Sequence, residues 1–358
     1  MSYKIGLVGF PNVGKSSFFY FITKKNVLIA NYPFATIDPA VGVMTFVDPR
    51  LNNLANAWQS LKISPSTIEW VDIAGLVRGA AQGLGLGNEF LSHIREVDII
   101  CHVIRAFHDN NIIHVEKNVN PWRDYEVIQL ELIFADYQQV ERKIEKVENL
   151  LKKQRDNEEL KEELNLLKYL QENLEKEIPL LHLELSVEQK QKIKIYNLLT
   201  AKPSILIVNY NGENLDELTK LKNYADIKKI PLFSLSVKLE IDCQELTSKE
   251  KKELDFQNFD LVSLTNKIKK TLGLKTFFTA GPKESKSWLI EKEANARQGA
   301  SLIHTDIAKG FIRAEIYSYE DWINLPNEEQ LKKNGKIRKE GSYYILKEGD
   351  ICHFLFSK

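Results

Sequence analysis

Gly9-Phe10-Pro11-Asn12-Val13-Gly14-Lys15-Ser16 matches the phosphate-binding pattern G-x-x-x-x-G-K-[ST]. Residues 4–8 before it read as a short buried strand, and residues 16–21 read as the start of a helix. A glycine-rich turn in this position points backbone N–H groups at phosphate oxygens, while Lys15 adds a positive charge and Ser16 offers a hydroxyl to Mg²⁺. The stretch therefore predicts an α/β domain that binds nucleotide through Asn12, Val13, Gly14, Lys15, Ser16 and Ser17.

The composition is typical of an ordinary soluble protein. The chain has 358 residues, of which 43% are hydrophobic and 27% charged, and its formal net charge is zero. The length predicts two or three domains, and the balanced charge argues against general binding to DNA or membranes. No apolar run approaches the length of a membrane span, and Cys101, Cys243 and Cys352 lack metal or redox spacing. A cytoplasmic location is therefore expected.

A second motif, Trp70-Val71-Asp72-Ile73-Ala74-Gly75, reads as a strand ending in D-x-x-G. In P-loop nucleotidases a carboxylate at the end of a neighbouring strand holds Mg²⁺, and the glycine amide reaches the γ-phosphate. Thr36 lies between the two motifs, where the first switch of such proteins supplies an ordering threonine. The predicted Mg²⁺ ligands are thus Ser16, Thr36 and Asp72, and the predicted catalytic residues are Lys15, Thr36 and Gly75.

Leu76 stands where many small GTPases carry the glutamine that orients the attacking water. A leucine side chain cannot hydrogen-bond to water. The sequence therefore predicts slow unassisted hydrolysis that depends on another group, a bound cation, the substrate phosphate or a partner.

The base-recognition motif also departs from the GTPase pattern. Guanine is usually selected by N-K-x-D, but the strand 204–208 is followed by Asn209-Tyr210-Asn211-Gly212-Glu213. Gly212 cannot supply the carboxylate that pairs with guanine, so adenine is favoured. We expect Asn209 and Tyr210 to contribute to the base site, together with Ser236 and Val237 from the loop that follows the next strand.

Two further regions have a different character. Apolar residues three and four apart predict two helices, with a tip at 152–157 and an end at Pro179, that form an antiparallel coiled coil. From about Lys275 the pattern changes to short strands and turns, which predicts a small β-rich module. Its basic cluster is either a solvated face or a local RNA or protein contact, and comprises Lys332, Lys333, Lys336, Arg338 and Lys339.

Taken together, the motifs resemble the YchF or Obg-like ATPase family of translation-factor P-loop GTPases, and the resemblance covers essentially the whole chain. The matching motifs are G-F-P-N-V-G-K-S-S at 9–17, N-Y-P-F-A-T-I at 31–37, V-D-P-R-L at 47–51, D-I-A-G-L-V-R-G-A at 72–80, G-L-G-N-E-F-L at 85–91, F-F-T-A-G at 277–281, I-H-T-D at 303–306 and K-G-F-I-R-A at 309–314.

The resemblance implies a Ras-like P-loop NTPase domain, an inserted coiled coil and a C-terminal β-grasp-like (α+β) TGS domain. The corresponding limits are 1–127 and 199–275 for the nucleotide domain, 128–198 for the helical insertion and 276–358 for the TGS domain. It also implies ATP hydrolysis in preference to GTP hydrolysis, and association with ribosomes or ribosomal subunits, including rRNA. The family lacks the catalytic glutamine, in agreement with Leu76. Its P-loop asparagine matches Asn12, which in related proteins helps to hold K⁺.

One position departs from the family pattern. The family's base motif is N-x-x-E, whereas Gly212 occupies the glutamate position and Glu213 follows one residue later. Either a local bulge restores Glu213 to the site, or the base is read mainly by backbone groups. Three hypotheses therefore remain open: an ATPase switch that controls ribosome binding, a GTPase of translation or ribosome assembly, and a nucleotide-gated binding protein with negligible turnover.

Overall fold

The structure is a computed structural model that describes residues 3–24, 27–28, 40–73, 87–212, 216–244, 246–254 and 256–357. Its strands are β1 Lys4–Val8, β2 Val27–Leu28, β3 Ala40–Thr45, β4 Lys62–Ser64, β5 Thr67–Asp72, β6 Ile99–Ala106, β7 Ser204–Tyr210, β8 Leu232–Leu235, β9 Leu274–Thr279, β10 Glu284–Glu291, β11 Phe311–Ser318, β12 Arg338–Glu340 and β13 Asp350–Phe356. Its helices are α1 Lys15–Thr23, α2 Pro49–Trp58, α3 Gly87–Arg95, α4 Pro121–Lys153, α5 Glu158–Glu175, α6 Val187–Tyr196, α7 Asp216–Lys228, α8 Val237–Asp242, α9 Ser248–Glu253, α10 Leu261–Thr271, α11 Ala296–Ile303, α12 Thr305–Lys309, α13 Tyr319–Asn324 and α14 Glu328–Lys333, with a 3₁₀ turn at Leu180–His182. The predicted α/β class is confirmed.

The first sheet has the strand order β2-β3-β5-β1-β6-β7-β8. The five strands from β5 to β8 in this order run parallel, and every residue of β6 is buried. Their continuous apolar sequences fit strands that are covered on both faces. Because parallel strands end at the same edge, Val8, Asp72, Tyr210 and Leu235 all lie at one side of the sheet.

Helices α4 and α5 pack against each other as a hairpin whose turn spans residues 154–157. Asn120 and Asn157 cap the two helices, because each side-chain oxygen accepts a hydrogen bond from a backbone N–H of the first turn. Leu167 and Leu170 are fully buried in the seam between the helices. The two predicted helices and their turn are therefore present, although α4 begins before the predicted limit at 128. Within the described residues, no helix is both long and apolar enough to span a membrane.

The second sheet has the order β12-β11-β13-β9-β10-β4 and mixes parallel with antiparallel pairs. One buried cluster contains Phe277 and Phe354, together with alanines of α11. A separate cluster joins Leu51 and Leu54 of α2 to Phe278, Tyr317 and Ile351. Strands β9, β11 and β13 of this sheet therefore contribute buried apolar side chains to both clusters.

The internal contacts divide the chain into two compact units whose limits differ from the predicted domain boundaries. One unit combines Met44–Ile68 with the chain from Asp260 onward, and the other contains Tyr3–Val43 and Glu69–Phe259. The early segment belongs to the C-terminal unit because β4 pairs with β10 and because Arg50 forms an ion pair with Glu348 at 2.6 Å. The predicted domain limits therefore stay a prediction, with residues 44–68 and 260–275 as the points of difference.

Candidate nucleotide-binding site

The phosphate loop spans residues 9–14 between β1 and α1. Gly14 forms the N-terminal cap of α1 with φ +99°, a left-handed conformation that favours glycine. A side chain at Gly9 would collide with the carbonyl oxygen of Val103, at 2.5 Å from its Cβ position. The loop therefore lies directly against β6, and the positive end of the α1 dipole faces it.

Lys15 turns back over this loop. Its ammonium group donates hydrogen bonds to the carbonyl oxygens of Gly9 at 3.1 Å and Phe10 at 2.8 Å, and the residue is only 7% exposed. Burial lowers the pKa of Lys15 to about 8, although the nearby negative charge of Asp72 opposes the shift. The loop thus holds a desolvated cation where an anion would bind.

Ser16 and Asp72 face each other at the same edge of the sheet. The Ser16 hydroxyl donates a hydrogen bond to the Asp72 carboxylate. Burial raises the pKa of Asp72, while this hydrogen bond and the charge of Lys15 act in the opposite direction. A hydroxyl and a carboxylate oxygen in contact beside a phosphate loop fit the oxygen ligands that Mg²⁺ prefers.

Asn209 at the end of β7 joins two loops. Its side-chain nitrogen donates to the carbonyl oxygen of Val13 at 3.0 Å, and its side-chain oxygen accepts from the backbone N–H of Val237 at 3.2 Å. A Cβ atom at Gly14 would lie 2.4 Å from the same amide nitrogen. Asn209 therefore clamps the phosphate loop to the start of α8, and only glycine fits at position 14.

The other predicted base-site residues surround this clamp. The hydroxyl of Ser236 caps α8 by accepting from the Leu239 N–H, so Ser236 and Val237 begin a helix rather than a loop. Tyr210 ends β7 and is partly exposed. Gly212 has φ +100°, and no atom of the other described residues lies within 4 Å of the position that a Cβ atom would take. A glutamate at position 212 would be strained in this backbone conformation.

Asn12 and Ser17 complete the described part of the predicted phosphate site. Asn12 has a left-handed φ of 63°, and its side-chain nitrogen donates to the carbonyl oxygen of Ile113 at 3.2 Å. Ser17 is exposed in the first turn of α1. Thr36 and Gly75 lie outside the described residues, so their predicted roles stay predictions, as do those of Leu76 and Glu213.

His114 was missed by the sequence reasoning. Its ring lies edge-on to Phe10 of the phosphate loop, with 6.2 Å between ring centroids. The ring is buried and bonds through Nε2 to Asp124 at 2.9 Å, while Nδ1 accepts from the Glu116 N–H at 3.2 Å. An accepting Nδ1 places the proton on Nε2, which donates to Asp124. A histidine ten residues before an aspartate gives no periodic signal that could have revealed the pair.

A strand that runs through this loop into a helix, with Lys15, Ser16 and Asp72 beside it, defines the protein as a P-loop nucleotide hydrolase. Residues 4–154 match the family model described as "50S ribosome-binding GTPase". Residues 274–357 match YchF-GTPase_C, described as a "Protein of unknown function (DUF933)".

The similarity to individual proteins extends over the whole chain. The chain is 41% identical to "Ribosome-binding ATPase YchF" of Bacillus subtilis and 42% identical to the protein of the same name from Escherichia coli O157:H7, with 100% of each chain covered. It is also 36% identical to the "Schizosaccharomyces pombe YchF GTPase", with 99% of this chain and 98% of that chain covered at a TM-score of 0.86. The chain belongs to the YchF family.

The ionisation of Lys15 leads to an expected pH dependence of nucleotide binding. Because the free protein holds Lys15 with a pKa of about 8, while bound phosphates favour its charged form, binding above this pH requires proton uptake. Above the pKa of Lys15, ADP affinity is expected to decrease by up to about tenfold for each pH unit. Calorimetry in buffers of different ionisation enthalpy should show uptake approaching one proton at about pH 9.5 and little at about pH 7.

Titration of Lys15 does not destabilise the fold in this pH range, so unfolding would not explain the loss of ADP affinity. The folded pKa of about 8 lies below the unfolded value of 10.5, so the unfolded chain binds more protons in this window. Lys15 alone therefore makes the free protein more stable as pH rises from about 8 to 10.5. An ADP affinity that stays constant across this window would contradict the position assigned to the ammonium group.

Proposed function

We propose that this protein is an ATP-hydrolysing switch whose nucleotide state controls its binding to ribosomes or ribosomal subunits, including rRNA, in the cytoplasm. The convergence of Lys15, Ser16 and Asp72 at one sheet edge carries the hydrolase part of the proposal. The bacterial relatives, which are named ribosome-binding ATPases, support ATP as the substrate and the ribosome as the partner.

In this proposal, the phosphate loop and α1 bind the phosphates through Asn12, Val13, Gly14, Lys15, Ser16 and Ser17. Ser16 and Asp72 would hold Mg²⁺ together with Thr36, and the ion would neutralise phosphate charge when bound. Gly75 would contact the γ-phosphate. Asn12 would contribute its amide oxygen to a K⁺ site, since Leu76 cannot orient water.

The choice between ATP and GTP as the substrate leaves two candidate functions. The side chain of Asn209 is engaged on both sides, and Gly212 offers no carboxylate, so the guanine-specific contact is missing at this position. This favours ATP, with the base held by Tyr210, Ser236 and Val237. The alternative is a GTPase, which is supported by the fission-yeast relative that is named a YchF GTPase.

Direct measurement of nucleotide affinity distinguishes these two candidates. ATP and GTP would be titrated as non-hydrolysable analogues into the same preparation, with Mg²⁺ and K⁺ present. We expect the ATP analogue to bind at least about tenfold more tightly. Equal or tighter binding of the GTP analogue would refute the adenine assignment and favour the GTPase.

We further propose that the hairpin of α4 and α5 is a coiled-coil arm, and that the sheet from β9 to β13 belongs to a TGS domain. Both would contribute to ribosome contacts. Cosedimentation with ribosomes and with separated subunits should differ by at least about fivefold between the ADP and ATP-analogue states. Equal binding in the two states, or none in either, would contradict the proposed switch.

A further inference from the structure

Three segments of the unit that contains the phosphate loop meet at one group of side chains. We call this group, Arg95, Asp136, Asn197, Thr200 and Lys202, the arm junction. Arg95 is the last residue of α3, and Asp136 lies on α4. The other three belong to the segment that returns from α6 to β7. The arm junction therefore lies where the helical hairpin joins the nucleotide-binding sheet.

Arg95 contacts both sides of the base of the hairpin. One guanidinium nitrogen lies 3.5 Å from the Asp136 carboxylate on α4 and donates to the carbonyl oxygen of Asn197 at 3.2 Å. The backbone at the end of α3 is bound as well, because the Lys202 ammonium group donates to the carbonyl oxygens of Arg95 at 2.9 Å and Val97 at 2.6 Å. The end of α3 is thus held through its side chain and its backbone.

Asp136 joins the outgoing and returning chains of the hairpin. It is fully buried and accepts hydrogen bonds from the N–H groups of Leu199 at 2.8 Å and Thr200 at 2.7 Å, and from the Thr200 hydroxyl at 2.8 Å. These bonds fix α4 to the segment before β7. Arg95 supplies the ion-pair partner of this buried carboxylate, because the lone charge would be costly in the interior.

The charges around the arm junction oppose independent movement of α3. Asp98 lies near Lys202 and favours the positive charge of that lysine. Arg142 repels Arg95 and therefore does not help to hold α3. If α3 moved while α4 stayed in place, Asp136 would lose its cationic partner in a buried setting. Separating such a pair is strongly unfavourable, so the two helices are expected to move together.

Helix α3 also lies on the chain path that leaves the phosphate site. Asp72 ends β5, and α3 begins at Gly87 before the chain enters β6 at Ile99. A helix of nine residues is a stiff element about 13 Å long. A displacement at its beginning therefore reaches Arg95 at its end.

We propose that the arm junction transmits the nucleotide state to the helical hairpin. Movement of α3 is carried through Arg95 to Asp136 and Asn197, and the hairpin changes its angle to the sheet. This inference rests on the proposed nucleotide switch but does not require ribosomes. Movements of about 1–2 Å at the junction would be amplified along the roughly 25 Å of α4 beyond Asp136.

Distance measurement between two spin labels tests the coupling. Asp156→Cys places one label at the hairpin turn, and Lys249→Cys places the other on α9, since both positions are exposed. The three native cysteines are buried, which favours selective labelling. We expect the distance in the full-length protein to shift by about 5 Å between ADP and a non-hydrolysable ATP analogue.

Arg95→Met should abolish this shift while ADP affinity stays within about threefold of the original, because Arg95 is not placed in the phosphate site. The double variant Arg95→Met with Asp136→Asn removes both charges and should also lose the shift, which covers the case of an unstable single variant. Arg142→Met is the matched control, since its guanidinium bonds to the Gln138 carbonyl of the same helix. The control should keep the shift.

The possible failures can be told apart. A shift that persists in folded Arg95→Met or in the folded double variant would overturn the proposal. Normal nucleotide binding without any shift in the original protein would overturn it as well, and would leave nucleotide binding intact. Failure of both nucleotides to bind would overturn the proposed function and this inference with it.

Discussion

Replacing Lys15 with alanine is expected to weaken nucleotide binding by about 100-fold or more. The ammonium group is buried against the phosphate loop and bonds to the carbonyl oxygens of Gly9 and Phe10. A hydrogen bond to a charged group contributes about 1.5–3 kcal/mol, so the loss of the bonds that this cation would donate to bound phosphates accounts for this change. Calorimetric titration with ADP and with an ATP analogue measures it directly.

Lys228→Ala is a suitable control, because it removes an exposed lysine from α7 and leaves the phosphate loop unchanged. Its nucleotide affinity should match that of the original protein. Thermal unfolding without nucleotide verifies that Lys15→Ala is folded. Full affinity in a folded Lys15→Ala protein would show that nucleotide binds elsewhere.

Replacing Asn209 with alanine is expected to release the phosphate loop from the start of α8. The substitution leaves the Val13 carbonyl and the Val237 N–H without their side-chain partner, and each unmet buried group costs about 1–3 kcal/mol. We expect a loss of about 2 kcal/mol in the free energy of unfolding and a decrease of about 30-fold or more in nucleotide affinity. Chemical denaturation and calorimetry measure these two quantities.

Ser236→Ala tests whether the effect belongs to the clamp rather than to the neighbouring helix. It removes the cap of α8, whose hydrogen bond to Leu239 is long at 3.4 Å, and should cost about 1 kcal/mol or less. Nucleotide affinity should then change by less than about tenfold. If Asn209→Ala proved no worse than Ser236→Ala, the clamp would not matter for binding.

The phosphate loop and the helical hairpin could be predicted because their signals are local. Gly14 and Lys15 belong to a contiguous motif between a strand and a helix, and the spacing of residues such as Leu167 and Leu174 defines a helical seam. The hairpin turn between α4 and α5 falls within the predicted tip. In both regions, neighbours in sequence determine the structure.

The missed features depend on contacts between distant residues. β4 has only three residues, and its pattern does not indicate that it pairs with β10 more than 200 residues later. The pairing of Arg95 with Asp136 likewise depends on how α3 packs against α4, and that of His114 with Asp124 depends on the irregular path of the chain before α4. Asn209 was predicted as a base-site residue from its motif alone, and its engagement with both Val13 and Val237 became visible only in three dimensions.

We propose that this protein hydrolyses ATP as a switch that responds to potassium and ribosomes. ATP turnover should therefore be measured with K⁺ or Na⁺, each with and without ribosomes, using Lys15→Ala as the blank. We expect slow turnover by the protein alone, faster turnover in K⁺ than in Na⁺, and a further increase with ribosomes. Turnover that never exceeds the Lys15→Ala blank in any of these conditions would contradict the claim and leave a nucleotide-gated binding protein.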